Sequence, residues 1–251
     1  MDDEDVQFFR RIVVIPIPIP NIVIFGESSV GKSSVVNLIA GADVALTHPP
    51  LHADRCNLRN TPYEVEFSGS KYRLYDTPAL DENSPATDVA MDLYKLVLSL
   101  HEGINLLALV IRGPRVTQSI LPNYEMFYKI ICQKKVPILL IVTGLEVESP
   151  MDEWWGRNKC IFAQHGMLFT NVACITASKG KLSDGAFLFQ QEYDESMVRV
   201  RECLRRSVLP VPVLPWRVDP LLLLVRCVRS WGYSRWKAAA MVNKALKGFL
   251  K

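Results

Sequence analysis

The chain is poor in several things that would fix its class at once. Its six cysteines (56, 132, 160, 174, 203 and 227) form no Cys-x-x-Cys pair, and its four histidines show no ligand spacing. A zinc-ribbon or thioredoxin-like framework is therefore not indicated, and reduced, buried thiols are expected. Long hydrophobic runs are also missing. The longest, such as "INLLALVI" at 104–111, fall far short of the roughly 20 residues a membrane span needs. The start, "MDDEDVQFF", is acidic and lacks a signal-peptide pattern. No interleaving of basic and aromatic residues suggests a nucleic-acid platform, so no nucleic acid is expected as a partner. The expectation is an intracellular, cytoplasmic chain of 251 residues, long enough for one sizeable core with an appendage.

What is present begins at "NIVIFGESSVGKSSVVNLIAG", residues 21–41. Gly26, Glu27, Ser28, Ser29, Val30, Gly31, Lys32 and Ser33 fit G-x-x-x-x-G-K-[ST] at every fixed position. An apolar strand pattern precedes the loop. A helix pattern opens at Ser33 and Ser34 and carries Val35, Val36, Leu38 and Ile39, and Gly41 stands where a C-cap glycine belongs. In such a strand-loop-helix, backbone N–H groups turn inward at the positive end of a helix dipole, which suits a phosphate. Lys32 would reach the outer phosphates and the Ser33 hydroxyl would ligate Mg²⁺.

Further along, "YEVEFSGSKYRLYDT" reads as a hairpin turning at Ser68-Gly69-Ser70, and about 87–101 reads as a helix. Strand patterns at "INLLALVIRG", "VPILLIVTG" and "NVACITAS" alternate with helix patterns at 122–135, 151–166 and 192–209. Alternation of this kind predicts an α/β fold with a mostly parallel sheet, one antiparallel strand, and helices on both faces. Ligands of such sheets bind beyond the carboxyl ends of the strands, where Phe25, Tyr75 and Val142 lead into the loop, Asp76 and Thr143.

The series resembles a P-loop G domain, and more narrowly the GIMAP-type (immune-associated) GTPases and related fungal G-domain proteins. The likeness runs over about 20–205 and rests on "FGESSVGKSSVVNLIAG", "YDTPAL", "IRGPRVT", "KKVPILLIVTGLE" followed by "WW", and "ACITAS". It implies a three-layer P-loop NTPase fold and a site for GTP or GDP with Mg²⁺. Asp76 then matches the D-x-x-G aspartate that supports the metal beside Ser33. Thr143 and Glu146 take the place of the base-reading motif, where a carboxylate accepts the two N–H donors of guanine. Gly144 replaces that motif's usual lysine. Ala177 matches the residue whose backbone N–H meets guanine O6.

Two departures bear on catalysis. The D-x-x-G glycine is Ala79, and the residue after it, where Ras-like enzymes orient water with glutamine, is Leu80. No catalytic residue is assigned. Glu27 in the loop and Arg112 or Arg115 in "IRGPRVT" are candidate catalytic groups, since an arginine could stabilise charge developing on the γ-phosphate, with a structural or interface role favoured for Arg115. The expected function is a guanine-nucleotide-binding protein with slow GTP hydrolysis at most. The alternative is a non-catalytic interaction module, and a P-loop kinase is a weaker third for want of an acceptor site. The resemblance also admits a homodimer through the nucleotide face.

Charge is unevenly spread. Residues 199–251 carry twelve Lys/Arg against two acids, Glu202 and Asp219, a net +10, which leaves −7 on the rest of a chain whose total is +3. The tail reads as a basic amphipathic helix from about Arg235, suited to a membrane surface or an acidic protein, or to packing on the body. Packing on the body is slightly favoured. The expected organisation is an N-terminal extension (1–20) containing an Ile-Pro segment, a G domain (21–209), and a basic, apolar extension (210–251).

Overall fold

A computed structural model describes residues 18–47, 62–77, 92, 95–117, 120–183, 185–214, 225–229 and 234–249. Strand β1 (Asn21–Phe25), β2 (Tyr63–Phe67), β3 (Ser70–Asp76), β4 (Leu106–Arg112), β5 (Ile138–Thr143) and β6 (Asn171–Cys174) form one sheet in the order β2-β3-β1-β4-β5-β6. Only β2 runs antiparallel, through its hairpin with β3. The three-layer α/β architecture expected of a P-loop NTPase is the one observed.

The strand sequences follow from their positions. β1, β4 and β5 are almost unbroken apolar runs because helices cover both of their faces. Their side chains alternate between two cores. Val23, Phe25, Leu107, Leu109, Leu140 and Val142 enter one, while Ile22, Ile24, Leu106, Ala108, Leu139 and Ile141 enter the other. β2 lies at the edge, so its alternation is visible in the sequence: Glu64 and Glu66 face out, Val65 and Phe67 face in.

Helix α1 (Lys32–Ala40) and α4 (Gln190–Ser207) cover the second core with Val35, Val36, Leu38, Ile39, Val200 and Leu204. The first core is covered by α3 (Glu153–Gln164), through Trp154 and Phe162, and by α2 (Ile120–Tyr124) with its continuation. That continuation corrects the expectation of a single α-helix over 122–135. Residues Glu125–Ile131 are wound as a π-helix, closed by the N–H of Cys132 donating to the carbonyl of Phe127. Seven residues cannot distinguish the two windings by apolar spacing alone. A two-stranded hairpin, β7 (Leu182–Ser183) with β8 (Ala186–Phe187), precedes α4 and was not anticipated.

Gly41 ends α1 in the left-handed conformation (φ 75°), its N–H bonded to the carbonyl of Asn37, as the sequence suggested. Of the Ile-Pro segment, residues 18–20 are described, and the carbonyl of Pro20 accepts from the N–H of Arg73 as a one-residue extension alongside β3.

The tail joins the body. Ile104 and Val213 bridge antiparallel, and Asn105 donates through its side chain to the carbonyl of Leu209 (2.9 Å). Helix α5 (Arg235–Phe249) sends Ala238 and Val242 into the first core beside Cys227 and Val228, and leaves Lys237 and Lys244 exposed. No described helix is long and apolar enough to cross a membrane. The expectation of buried thiols holds for Cys132, Cys174 and Cys227, but Cys160 is exposed on α3 and Cys56 lies outside the described residues. Burial, against an opposing backbone hydrogen bond, pushes the Cys227 thiol up to about 12, and burial leads the rise of Cys174 to about 11, which keeps both protonated.

Candidate functional site

The site is built at the carboxyl edge of the sheet, starting from β1. Beyond Phe25 the chain must turn sharply under the end of β4, and Gly26 makes this turn at φ 149°. A Cβ at that position would lie 2.2 Å from the carbonyl oxygen of Val110, so only glycine fits. Ser29 (φ 59°) and Gly31 (φ 95°) adopt positive φ within the loop, a conformation found where backbone N–H groups gather into an anion nest. Val30 is buried and anchors the loop, while Ser28 and Ser29 are exposed at its tip. α1 begins directly after Gly31, which places Lys32, Ser33 and Ser34 in its first turn, all half-buried.

Lys32 folds back across the loop, and its Nζ donates to the carbonyls of Gly26 (3.1 Å) and Glu27 (2.7 Å). Its charge is thus held inside the ring of backbone. Ser33 donates its hydroxyl to Oδ2 of Asp76 (2.8 Å), joining two residues 43 apart. The second carboxylate oxygen of Asp76, Oδ1, is buried and accepts no hydrogen bond among the described residues. Burial raises the carboxyl above the ordinary carboxylate range, against the bond from Ser33 and the charge of Lys32, which lower it. An orphaned buried oxygen next to a serine hydroxyl is costly without a cation, and the pair suits a hard, oxygen-liganded ion such as Mg²⁺.

At the other end, β5 delivers Thr143. Its hydroxyl is buried and lies within hydrogen-bonding reach of the carbonyls of Val30 (2.6 Å) and Ile111 (3.2 Å). The residue assigned to the base from sequence therefore spends its donor on the phosphate loop. It ties the loop to β5, a link that sequence order did not reveal. Gly144 follows at φ 77°, Leu145 is fully buried and pins the turn, and Glu146 is half-exposed. The N–H of Ile175 donates to the carbonyl of Val142, so the chain leaving β6 runs beside the chain leaving β5. That brings half-buried Ala177 into the same edge as Glu146. Ala79 and Leu80 lie outside the described residues.

A cleft open to solvent flanks the loop, and Gly26, Glu27, Arg112, Thr117 and Asn123 are among the residues that line it. The Thr117 hydroxyl donates across to the Glu27 carboxylate (3.3 Å). Thr117 belongs to the "IRGPRVT" motif quoted from the sequence, which assigns it no site role, and Asn123 falls in no motif.

Sheet order, loop and Ser33–Asp76 pair together define the class by its fold, a three-layer P-loop NTPase. Residues 21–144, just under half of the chain, match the family described as 50S ribosome-binding GTPase. No curated relative matches the sequence.

Among solved structures, the chain is similar to a dimerization-deficient variant of Toc33 from Arabidopsis thaliana, with TM-score 0.53 and 17% identity over 83% of this chain and 93% of that one. Toc33 in complex with Mg²⁺ and GMPPNP gives TM-score 0.50 at 19% identity, with the same coverage. Era in complex with MgGDPNP and a piece of 16S ribosomal RNA gives TM-score 0.52 and 18% identity over 83% of this chain and 64% of that one. The chain spans about half of a longer GTP-binding protein from the archaeon Sulfolobus solfataricus, 55% of that chain. At these identities the likeness is one of fold.

Proposed function

We propose that this protein binds GTP and GDP with Mg²⁺ at the loop Gly26–Ser33 and hydrolyses GTP slowly at most. The observation that carries the reading is the loop itself, with Lys32 drawn across it and Ser33 paired to the half-satisfied carboxylate of Asp76. Backbone N–H groups from Gly26 to Ser34 would cradle the phosphates, and Ser33 with Asp76 would hold the metal. A Mg²⁺ ion held there would neutralise phosphate charge. Glu146 accepts from the base and Ala177 closes over it from the neighbouring loop, so that guanine is preferred to adenine. Thr143 supports the site by holding Val30.

Support for a G-domain nucleotide site comes also from the family match and from the Toc33 and Era folds, each of which was crystallised with a guanine nucleotide analogue and Mg²⁺. Slow turnover rests on the sequence, where Ala79 stiffens the point that should sense the third phosphate and Leu80 cannot orient water. The narrower likeness to immune-associated GTPases rests on the motif series alone. Pairing of two copies across the nucleotide face and contact of the basic tail with an acidic partner belong to the same reading. The expectation that nucleic acid is excluded gains no support, because Era has this fold and is seen with ribosomal RNA.

The test is direct. Incubate the protein with Mg²⁺ and equal GTP and ATP, remove what is free, denature, and identify the bound nucleotide with time. Guanine nucleotide passing slowly from GTP to GDP is expected. GTP that stays intact assigns the non-catalytic alternative, and bound ATP overturns the role of Glu146.

A further inference from the structure

Beside this site stands a cation that the reading above does not use. Arg112 ends β4, the strand that lies between the phosphate-loop strand and the Thr143 strand, and its Cα is in register with Thr143. It is exposed, and no ion pair engages it among the described residues. Its side chain does not run free into solvent. A Cβ built on Gly144 would lie 3.2 Å from Cγ of Arg112 and 3.6 Å from its Nε, so the arginine stem lies against the bare backbone of Gly144. The same residue lines the cleft that Gly26 and Glu27 also line.

Two facts follow from that packing. Gly144 offers no side chain to cover a ligand, and its φ of 77° with the arginine stem above it disfavours one. The surface that a side chain at 144 would present is presented by Arg112 instead. A guanidinium placed between a phosphate-holding loop and a base-reading loop has the plane to stack on an aromatic base and the donors to reach a ribose oxygen.

We infer that Arg112 forms the base-and-sugar wall of the nucleotide site, its stem seated on Gly144 and its guanidinium against the nucleoside. This deepens the proposed function and rests on it. The expected consequence is that Arg112→Ala weakens binding about tenfold, the size of one desolvated cation–π contact. The loss is the same for GMP, GDP and GTP, because the contact is to the part they share. The melting temperature of the nucleotide-free protein stays at the wild-type value, since the side chain is exposed.

Titration calorimetry of the full chain with the three nucleotides and Mg²⁺, together with thermal unfolding without nucleotide, provides the test. Wild-type affinities in Arg112→Ala overturn this inference alone. A loss that grows from GMP to GTP overturns it by assigning Arg112 to the phosphates. A fall in melting temperature that accompanies the loss overturns it by making Arg112 a packing residue. Wild-type protein that binds none of the three overturns the guanine-nucleotide reading and this inference with it.

Discussion

The two ends of the candidate site are built differently. At the phosphate end nearly every group is committed: Gly26 is pressed against Val110, Lys32 bonds two loop carbonyls, and Ser33 holds Asp76. At the base end the side chain assigned to the ligand, Glu146, is half-exposed, and the nearby loop carries a short hairpin with exposed Leu182 and Leu188. The phosphate end is preorganised before a ligand arrives, so little ordering entropy remains to be lost there on binding. The base end has a rigid floor, Thr143 and Leu145, beneath groups that remain free to adjust. Affinity should therefore come mainly from the phosphates, and choice of base from the more open side.

The sharpest break of that contrast is at Gly26. Gly26→Ala forces a Cβ into a backbone carbonyl, with an expected loss of about 2–4 kcal/mol in denaturant unfolding and of nucleotide binding with it. Lys32→Ala should leave the fold near wild-type stability yet lower GDP affinity by about 100-fold or more by calorimetry, since charge-assisted bonds to phosphate are lost. Equal retention of both properties would remove the loop from the phosphate role.

Asp76→Asn separates stability from function at the same end. Burial already penalises the carboxylate. The neutral amide should therefore hold or raise the melting temperature of the nucleotide-free protein while Mg²⁺ no longer strengthens nucleotide binding. Thr143→Val tests the tie between the two ends. It keeps the shape and removes the donor that reaches Val30, at an expected cost of about 1–3 kcal/mol for an unsatisfied buried carbonyl. The smallest expected effect is at Glu146. Glu146→Ala should lower GTP affinity about tenfold or less and narrow the gap between GTP and ATP, and an unchanged gap would place base selection elsewhere.

The alternation of elements and the loop were legible in the sequence for physical reasons. Strands buried on both faces must be continuous apolar runs, and a tight anion-binding turn needs glycine at fixed places. The tail helix was legible too, because Ala238 and Val242 recur at one-turn spacing and enter the core while Lys237 and Lys244 stay in water. The corrections lie where pattern carries no information. A π-turn at Glu125–Ile131 has the same buried residue types as an α-helix, and exposure of Cys160 follows from α3 turning the side that bears Trp154 and Phe162 to the core.

The sequence by itself thus determined the order of strands and helices, the phosphate loop and the basic character of the tail, since each is set by local periodicity or by residues a few positions apart. Only the tertiary structure decided that Thr143 serves the phosphate loop, that Asp76 keeps one oxygen unpaired beside Ser33, and that Arg112 lies over Gly144. Those relations join residues from 32 to 113 positions apart on different strands and loops. Such contacts exist only once the sheet has put those strands side by side.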